Sequence, residues 1–184
     1  MKGIVFTEFL DMVDAQFGMP VTEAIVANAQ LRSGGAYTSV GTYCHSEIVS
    51  LVTELSRETN IEVPRLVQTF GTHLLDRFLV LFPQFFDDTP HLYGFLENVD
   101  GYIHGEVRKL YPNATLPEIE TKRLDDGKFI LTYKSARQMA DLAEGLILGA
   151  IDHFGGRFTC LRRDLPAEGE KQCVRFMLAP RQLH

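Results

Sequence analysis

The sequence predicts an α+β fold, with helices first and an antiparallel sheet after them. From residue 3 to residue 110 the apolar side chains recur every three or four positions, which indicates amphipathic helices. After Pro112, runs of β-branched and aromatic residues alternate with turns rich in Asp and Gly, which is typical of hairpins. The 184 residues suit one domain over 1–184. We expect a helical part over about 1–62 and a second part over about 63–184.

The composition excludes several classes of protein. A formal net charge of −6 argues against a nucleic-acid or anionic-membrane partner. The apolar runs are too short to span a bilayer, and Glu8, Asp11 and Asp14 interrupt the start, which therefore does not resemble a signal peptide. Three cysteines do not make a disulfide framework, so we expect a cytoplasmic protein. We expect a complete domain without an output module, which would signal through a separate protein.

Helix start and stop signals divide the helical part. Four helices are predicted, over 3–17, 21–28, 46–59 and 64–82. Gly18 and Pro20 end the first helix, and Pro64 suits the first position of the fourth. A loop rich in Gly and Ser covers 31–45, and residues 83–90 form a connection.

A fifth helix, predicted over 95–112, contains the first candidate for chemistry. Its apolar stripe consists of Leu96, Val99, Ile103, Val107 and Leu110. His104 lies at the margin of this stripe, where a neutral, half-buried imidazole can serve as an axial haem ligand. Gly105 beside it would let a flat group approach the helix. The alternative is a histidine at the edge of the core, bonded to a carbonyl.

The second candidate follows a predicted strand. Strands over 119–124 and 129–133 pair around a turn at 125–127. If the second strand continues to Arg137, then Tyr133, Ser135 and Arg137 point the same way, because side chains alternate along a strand. A phenol, a hydroxyl and a guanidinium in a row suit a dianionic ligand. The alternative is an exposed strand face. An axial histidine together with a dicarboxylate site describes the two ends of a haem.

A helix and a last hairpin complete the expected fold. One side of the helix is expected to carry Met139, Leu142, Ala143, Leu146, Ala150 and Phe154. The glycine pair at 155–156 ends it, and strands over 157–163 and 172–179 form the hairpin.

The chain resembles the H-NOX family, the haem nitric oxide/oxygen-binding domains related to the sensor domain of soluble guanylate cyclase, and in particular its bacterial stand-alone members. The residues that carry the resemblance lie at 1–5, 99–104, 109–112, 116–117 and 143–150, and in the motif Tyr133-x-Ser135-x-Arg137. This motif, at its proper distance after the histidine, is highly specific to the family.

The resemblance implies haem b buried between the helical part and the sheet. His104 would be the proximal iron ligand, and Tyr133, Ser135 and Arg137 would bind the propionates; we call these three residues the propionate site. The implied haem pocket consists of Val5, Phe9, Leu74, Phe78, Leu116, Pro117, Leu142 and Leu146. In the family the proline bends the haem out of plane, although Leu116 and Pro117 can also be loop residues and the others core residues. Gly3 and Gly71 are either hinges or sites of close helix packing.

The resemblance also implies a choice of gas. Oxygen-binding members of the family donate a hydrogen bond to bound oxygen from a tyrosine, whose position here is Leu142. The polar partners of that tyrosine fall at Phe9 and Leu74, which are apolar. Losing a charge-assisted bond of about 1.5–3 kcal/mol weakens oxygen affinity roughly ten- to hundredfold. We therefore expect a nitric oxide sensor that also binds carbon monoxide and binds oxygen weakly or not at all.

Some family members also bind a structural zinc, and the cysteines test whether this one does. Cys160 and Cys173 match two of the zinc ligands, whereas Ala140 and Arg162 stand where the other two belong. Two thiolates fall short of the four ligands of a closed zinc site, so we expect no zinc. Cys44 receives no role.

The expected function is signal transduction by a non-enzymatic module. Release of the histidine would change the conformation and regulate a partner such as a histidine kinase, as in two-component signalling, or a diguanylate cyclase. One alternative is a haem or tetrapyrrole carrier without gas signalling. Another is an enzyme that uses Tyr133 and Ser135 on a carboxylate substrate, but no base lies within that motif.

Overall fold

The computed structural model of the chain describes residues 1–87, 89–112 and 114–181, apart from the side chain of Leu110. These residues form eight α-helices, one π-helix and a four-stranded antiparallel sheet, so the predicted α+β class is confirmed. In the described part of the chain, no helix is long and apolar enough to span a membrane.

Four helices form the first part of the molecule, and their bounds match the prediction to within two residues. They are α1 (Gly3–Phe17), α2 (Met19–Asn28), α3 (His45–Thr59) and α4 (Val63–Leu81). Pro20 and Pro64 lie in the first turns of α2 and α4, where the missing N–H of proline loses no helical hydrogen bond. Asn60 adopts a left-handed conformation, with φ 56°, and so ends α3.

A hydrophobic core, which we call the N-terminal core, lies among these four helices. Its largest fully buried side chains are Phe6, Phe9, Met12, Ile25, Ile48, Leu51, Leu55 and Phe70. The rings of Phe9 and Phe70 meet edge to face with their centroids 5.2 Å apart. This contact joins α1 to α4, a geometry that aromatic pairs prefer.

The segment after α4 differs from the prediction in two ways. A short helix, α5 (Gln84–Asp87), lies within the predicted connection. The predicted single helix over 95–112 consists of α6 (Leu92–Asn98), a π-helix (Val99–Ile103) and α7 (His104–Leu110). The N–H of His104 bonds to the carbonyl of Val99, five residues back, which widens this turn. Val99 and Ile103 are four residues apart, a spacing that both an α-helix and a π-helix allow, so the apolar pattern did not reveal the π-helix.

The sheet has the strand order β1-β2-β4-β3, with all neighbours antiparallel. Its strands are β1 (Glu118–Arg123), β2 (Phe129–Ser135), β3 (Phe158–Glu168) and β4 (Lys171–Pro180). Both predicted hairpins are present, although β3 ends five residues later than predicted. Gly127 allows the tight turn between β1 and β2 because its φ of 79° suits glycine.

The sheet, α6 and the last helix, α8 (Ala140–His153), enclose a second core, which we call the C-terminal core. Among its buried members are Leu92, Phe95, Phe129, Leu131, Ile147, Ile151, Phe176 and Leu178. Phe78 on α4 and Leu146 on α8 contact both cores. These two side chains therefore lie at the boundary between the helical part and the sheet part.

The six residues predicted on one side of the last helix all lie in or against a core, but the most buried positions of α8 also include glycines. The buried residues of α8 are Ala140, Gly145, Ile147, Gly149, Ala150 and Ile151, whereas Leu142, Ala143 and Leu146 are half-buried. Gly145 faces α4 so closely that a Cβ there would lie 2.0 Å from the carbonyl oxygen of Gln68. The backbones of α4 and α8 thus touch, which only glycine permits. The sequence prediction looked for a stripe of large apolar residues. It therefore missed a contact that depends on glycine, which has no side chain.

Candidate haem site

The π-helix ends at Ile103, and His104 is the first residue of α7. The imidazole of His104 therefore lies where the two elements join. The side chain of His104 is 14% exposed, and its Nδ1 lies 3.1 Å from Oδ1 of Asp100. Since an ionised carboxylate only accepts hydrogen bonds, Nδ1 carries the proton and Nε2 keeps its lone pair. Burial lowers the pKa of His104, and the contact with Asp100 opposes this only in part. The ring is therefore neutral near pH 7, as a metal ligand must be.

Two members of the propionate site lie in the strand β2 as predicted. Tyr133 and Ser135 are buried on one face of β2, 4% and 7% exposed. The Tyr133 hydroxyl accepts a hydrogen bond from the Met139 N–H at 3.3 Å, and Ser135 Oγ accepts one from the Arg137 N–H at 3.1 Å. Burial raises the pKa of Tyr133. The phenol is therefore neutral and can still donate its own proton.

The position of Arg137 corrects the sequence prediction. The strand β2 ends at Ser135, so Arg137 lies in the turn before α8 rather than on the strand face. The Arg137 N–H donates to the Ser135 hydroxyl, and this bond holds the backbone of Arg137 near the end of the strand that carries Tyr133 and Ser135. Burial lowers the pKa of Arg137. Within the described residues its guanidinium has no carboxylate partner, and a half-buried cation of this kind suits a carboxylate ligand.

Six of the eight predicted pocket residues lie together. The cluster, formed by buried and half-buried side chains of the N-terminal core, contains Val5, Phe9, Leu74, Phe78, Leu142 and Leu146. Leu116 and Pro117 are half-buried in the segment before β1 and belong to neither core. An open groove of about 550 Å³ elsewhere, between α6 and β3, is lined by none of the predicted site residues.

The residues present fit a haem. They offer a neutral imidazole with one free lone pair, two buried hydroxyls, a guanidinium that none of the described carboxylates pairs with, and an apolar cluster at the boundary of the two cores. In other proteins, one such imidazole ligates haem iron, and a guanidinium binds carboxylates in a bidentate manner.

The comparison with known proteins agrees with this geometry. Residues 2–160 match the model of a family described as haem-NO-binding. The chain belongs to this family, the H-NOX domains. Its members are haem-based gas-sensor domains.

Solved H-NOX structures share the whole fold of this chain. An H-NOX protein from K. algicida in the Fe(II) unliganded state has a TM-score of 0.88 and 31% identity, and the match covers 100% of this chain and 98% of that one. An H-NOX protein from S. oneidensis in the Fe(II)NO state has a TM-score of 0.86 and 27% identity, with 99% and 100% covered. A mutant of an H-NOX domain from Shewanella oneidensis in the Fe(II)CO state has a TM-score of 0.85 and 28% identity, with 96% and 97% covered.

The two glycines predicted as hinges of this H-NOX domain both lie at close backbone contacts. A Cβ on Gly3 would lie 1.8 Å from the carbonyl oxygen of Thr38, and a Cβ on Gly71 would lie 2.4 Å from that of Leu142. Close packing is therefore one reason for glycine at each position. The hinge role stays a prediction.

The cysteines that correspond to zinc ligands in other members are far apart here. Cys160 on β3 pairs with Leu178, and Cys173 on β4 pairs with Leu165. Leu178 lies five residues beyond Cys173, which separates the two thiols by roughly 16 Å along the sheet. Arg162 binds Asp141 and Glu144 of α8 instead, at 2.5 and 3.0 Å. The prediction of no zinc stays a prediction, and this geometry supports it.

Sequence reasoning missed two contacts of the H-NOX site. Asp100 stands four residues before His104, a spacing at which helical side chains meet, so this partner could have been found. The other contact joins distant residues: Lys2 Nζ lies 3.6 Å from the ring centroid of Tyr111, which directly follows α7. No local sequence signal indicates this pair.

Proposed function

We propose that this H-NOX domain is a haem-based nitric oxide sensor that regulates a separate signalling partner. The observation that carries the proposal is the state of His104, a neutral imidazole whose Nδ1 is bonded to Asp100 and whose Nε2 is left for iron. His104 would be the only protein ligand of the iron of haem b, and the propionate site would bind its carboxylates. Ferrous haem held by these residues would supply a coordination position for a diatomic gas, and the protein's response would depend on whether His104 stays bound.

The side chains predicted above the iron favour nitric oxide and carbon monoxide over oxygen. Phe9 and Leu74 are buried and Leu142 is half-buried. Bound oxygen carries partial negative charge and needs a hydrogen-bond donor, which these three residues do not provide. Nitric oxide has no such need. This apolar group supports weak or absent oxygen binding.

Release of His104 would reach the N-terminal helices through α7. His104 begins α7 and Tyr111 follows its end, where Lys2 lies against the ring. Lys2 also donates to Thr42 Oγ1 at 2.9 Å and precedes α1. A shift of α7 would therefore act on the start of α1, and Gly3 and Gly71 would absorb the change in backbone angles.

The partner must bind the two conformations with different affinity, because otherwise the gas would shift nothing. A shift over two decades of population ratio needs about 2.7 kcal/mol of differential binding. We propose a histidine kinase or a diguanylate cyclase in the cytoplasm as this partner.

The two alternatives have weaker support. An enzyme that uses Tyr133 as a base is disfavoured because burial raises the pKa of this phenol and its oxygen already accepts a backbone hydrogen bond. A haem carrier would use the same site, and no contact in the described residues favours it over a sensor.

The absorption spectrum of the purified, reduced protein tests the proposal. We expect a coloured protein whose main band shifts when nitric oxide is added and stays unchanged in air. A colourless protein that takes up no added haem would refute the sensor. Nitric oxide should change partner activity more than carbon monoxide does, because carbon monoxide should leave His104 bound. Equal responses to the two gases would refute histidine release as the switch.

A further inference from the structure

We propose that Asp100 is a positioning residue that strengthens the bond between His104 and iron, and that Arg108 limits this effect. The inference rests on the proposed function in one respect, namely that His104 binds haem iron. It adds a pair of residues that set how readily the histidine is released.

The geometry places one carboxylate oxygen between two donors. Oδ1 of Asp100 lies 3.1 Å from Nδ1 of His104 and 3.3 Å from Nη2 of Arg108. Asp100 lies inside the π-helix, and the other two residues lie on α7. All three are thus on one short, continuous stretch of helix, four residues apart. The contact does not depend on the packing of distant elements.

The two contacts differ in how far water screens them. The side chain of His104 is 14% exposed, whereas those of Asp100 and Arg108 are 38% and 47% exposed. An exposed arginine–carboxylate pair is weak, and a hydrogen bond from a largely buried imidazole to a carboxylate is stronger. Asp100 therefore acts mainly on His104. The positive charge of Arg108 partly offsets the negative charge of Asp100 and so weakens its effect on His104.

A carboxylate at Nδ1 has a known effect on a ligating histidine. It fixes the ring orientation and the tautomer, and it makes Nε2 a better electron donor to the metal. A stronger bond to His104 opposes release of the histidine when gas binds on the other side. Removing the charge of Asp100 should therefore weaken the bond, whereas removing Arg108 should strengthen it. Opposite signs distinguish this mechanism from general damage to the helix.

The first experiment compares Asp100→Asn, Arg108→Gln and Glu106→Gln in the haem-loaded, reduced protein. Asp100→Asn keeps the shape and an acceptor oxygen but removes the charge. Glu106→Gln is the matched control, because this carboxylate lies on the same helix and pairs with Lys109 at 2.6 Å instead of with His104. The readouts are the iron–histidine stretching frequency, measured by resonance Raman spectroscopy, and the rate of haem transfer to an excess of apomyoglobin.

We expect Asp100→Asn to lower the stretching frequency and to speed haem loss about tenfold, the lower end of the effect that follows loss of a ligating histidine's hydrogen-bond partner. Arg108→Gln should raise the frequency, and Glu106→Gln should leave it unchanged. An unchanged frequency in Asp100→Asn overturns the inference, and so does an equal shift in Glu106→Gln. If Asp100→Asn does not fold, Arg108→Gln alone tests the inference: a raised stretching frequency supports it, and an unchanged or lowered frequency overturns it.

A second measurement needs no haem. In the haem-free protein, ¹⁵N NMR of labelled histidine should show His104 with its proton on Nδ1, and Asp100→Ala should lose this preference. The same tautomer balance in both proteins overturns the inference. Failure of the wild-type protein to bind haem would instead refute the proposed function, so the two failures are distinguishable.

Discussion

The two sides of the candidate haem site are built in different ways. On the side of His104, contacts run between charged and polar groups within one helical segment, where Asp100, His104 and Arg108 follow one another. On the side predicted to face it, α1, α4 and α8 contribute apolar side chains, and α4 meets α8 through glycines. The first side can adjust the strength of a metal bond. The apolar side can only exclude water and hydrogen-bond donors. Under the proposed function, release of the histidine and selection of the gas would therefore be set by different residues.

The largest expected effect comes from removing the polar side altogether. His104→Ala should abolish the protein–iron bond, and added imidazole should restore haem binding by occupying the space of the lost ring. The spectrum of the reduced protein, with and without imidazole, checks this. His91→Ala is the control, since His91 is exposed before α6. An unchanged spectrum in His104→Ala would show that another residue is the ligand.

The next effect tests the close packing of the apolar side. Gly145→Ala should destabilise the fold by about 1–3 kcal/mol or more, because its Cβ would meet the carbonyl oxygen of Gln68 at 2.0 Å and the helices would have to separate. Gly94→Ala on α6 is the matched control. A Cβ there meets nothing within 4 Å, so this change should stabilise the fold by about 0.5–1 kcal/mol. Urea denaturation measures both, and equal effects would contradict the role given to the glycine contact.

The propionate site should show a graded loss of haem. Arg137→Ala should cost most, about 1.5–3 kcal/mol, because it removes a charge-assisted bond. Tyr133→Phe and Ser135→Ala each remove a neutral hydroxyl and should cost about 0.5–1.5 kcal/mol, with Ser135→Ala the smaller. Haem occupancy after purification, from the ratio of the haem to the protein absorbance, orders the three. Equal occupancy would show that these residues do not bind a shared ligand.

The last prediction would make the apolar side polar. Leu142→Tyr should raise oxygen affinity about ten- to hundredfold, because a phenol can donate to bound oxygen. Leu142→Phe is the control, since it adds the same ring without the hydroxyl. Oxygen titration of the reduced protein measures both variants. Equal affinities in the two variants would mean that the hydroxyl at 142 does not reach the gas.

The sequence predicted one side of the site better than the other. Periodicity and proline positions located α1 to α4 to within two residues, because local rules govern where helices begin and end. The π-helix was not predicted, because Val99 and Ile103 have the four-residue spacing that an α-helix also shows. The six residues predicted on one side of the last helix all lie in or against a core, but the close packing of Gly145 and Gly149 was not predicted because it depends on missing side chains.

The strand that carries Tyr133 and Ser135 was predicted correctly, but its continuation to Arg137 was not. Alternation along a strand placed Tyr133 and Ser135 on one face correctly. It failed for Arg137 because the strand ends at Ser135, where a hydroxyl-to-backbone bond begins the turn. Such local bonds compete with strand continuation. The pair Lys2 and Tyr111 lies outside any local rule, since only the folded chain joins residues so distant in sequence.

The ion pairs of Arg162 make the attachment of one edge of the sheet sensitive to ionic strength. Here β3 is fastened to α8 by one guanidinium between Asp141 and Glu144, and all three side chains are 18–30% exposed. Dissolved salt weakens attraction between charges that water can reach, over a screening length of about 10 Å at 0.1 M. Neither a chelator nor a reducing agent acts on such a pair. The attachment of this edge strand should therefore loosen slightly with rising ionic strength and be unaffected by either reagent, whereas a chelator would release a metal cross-link.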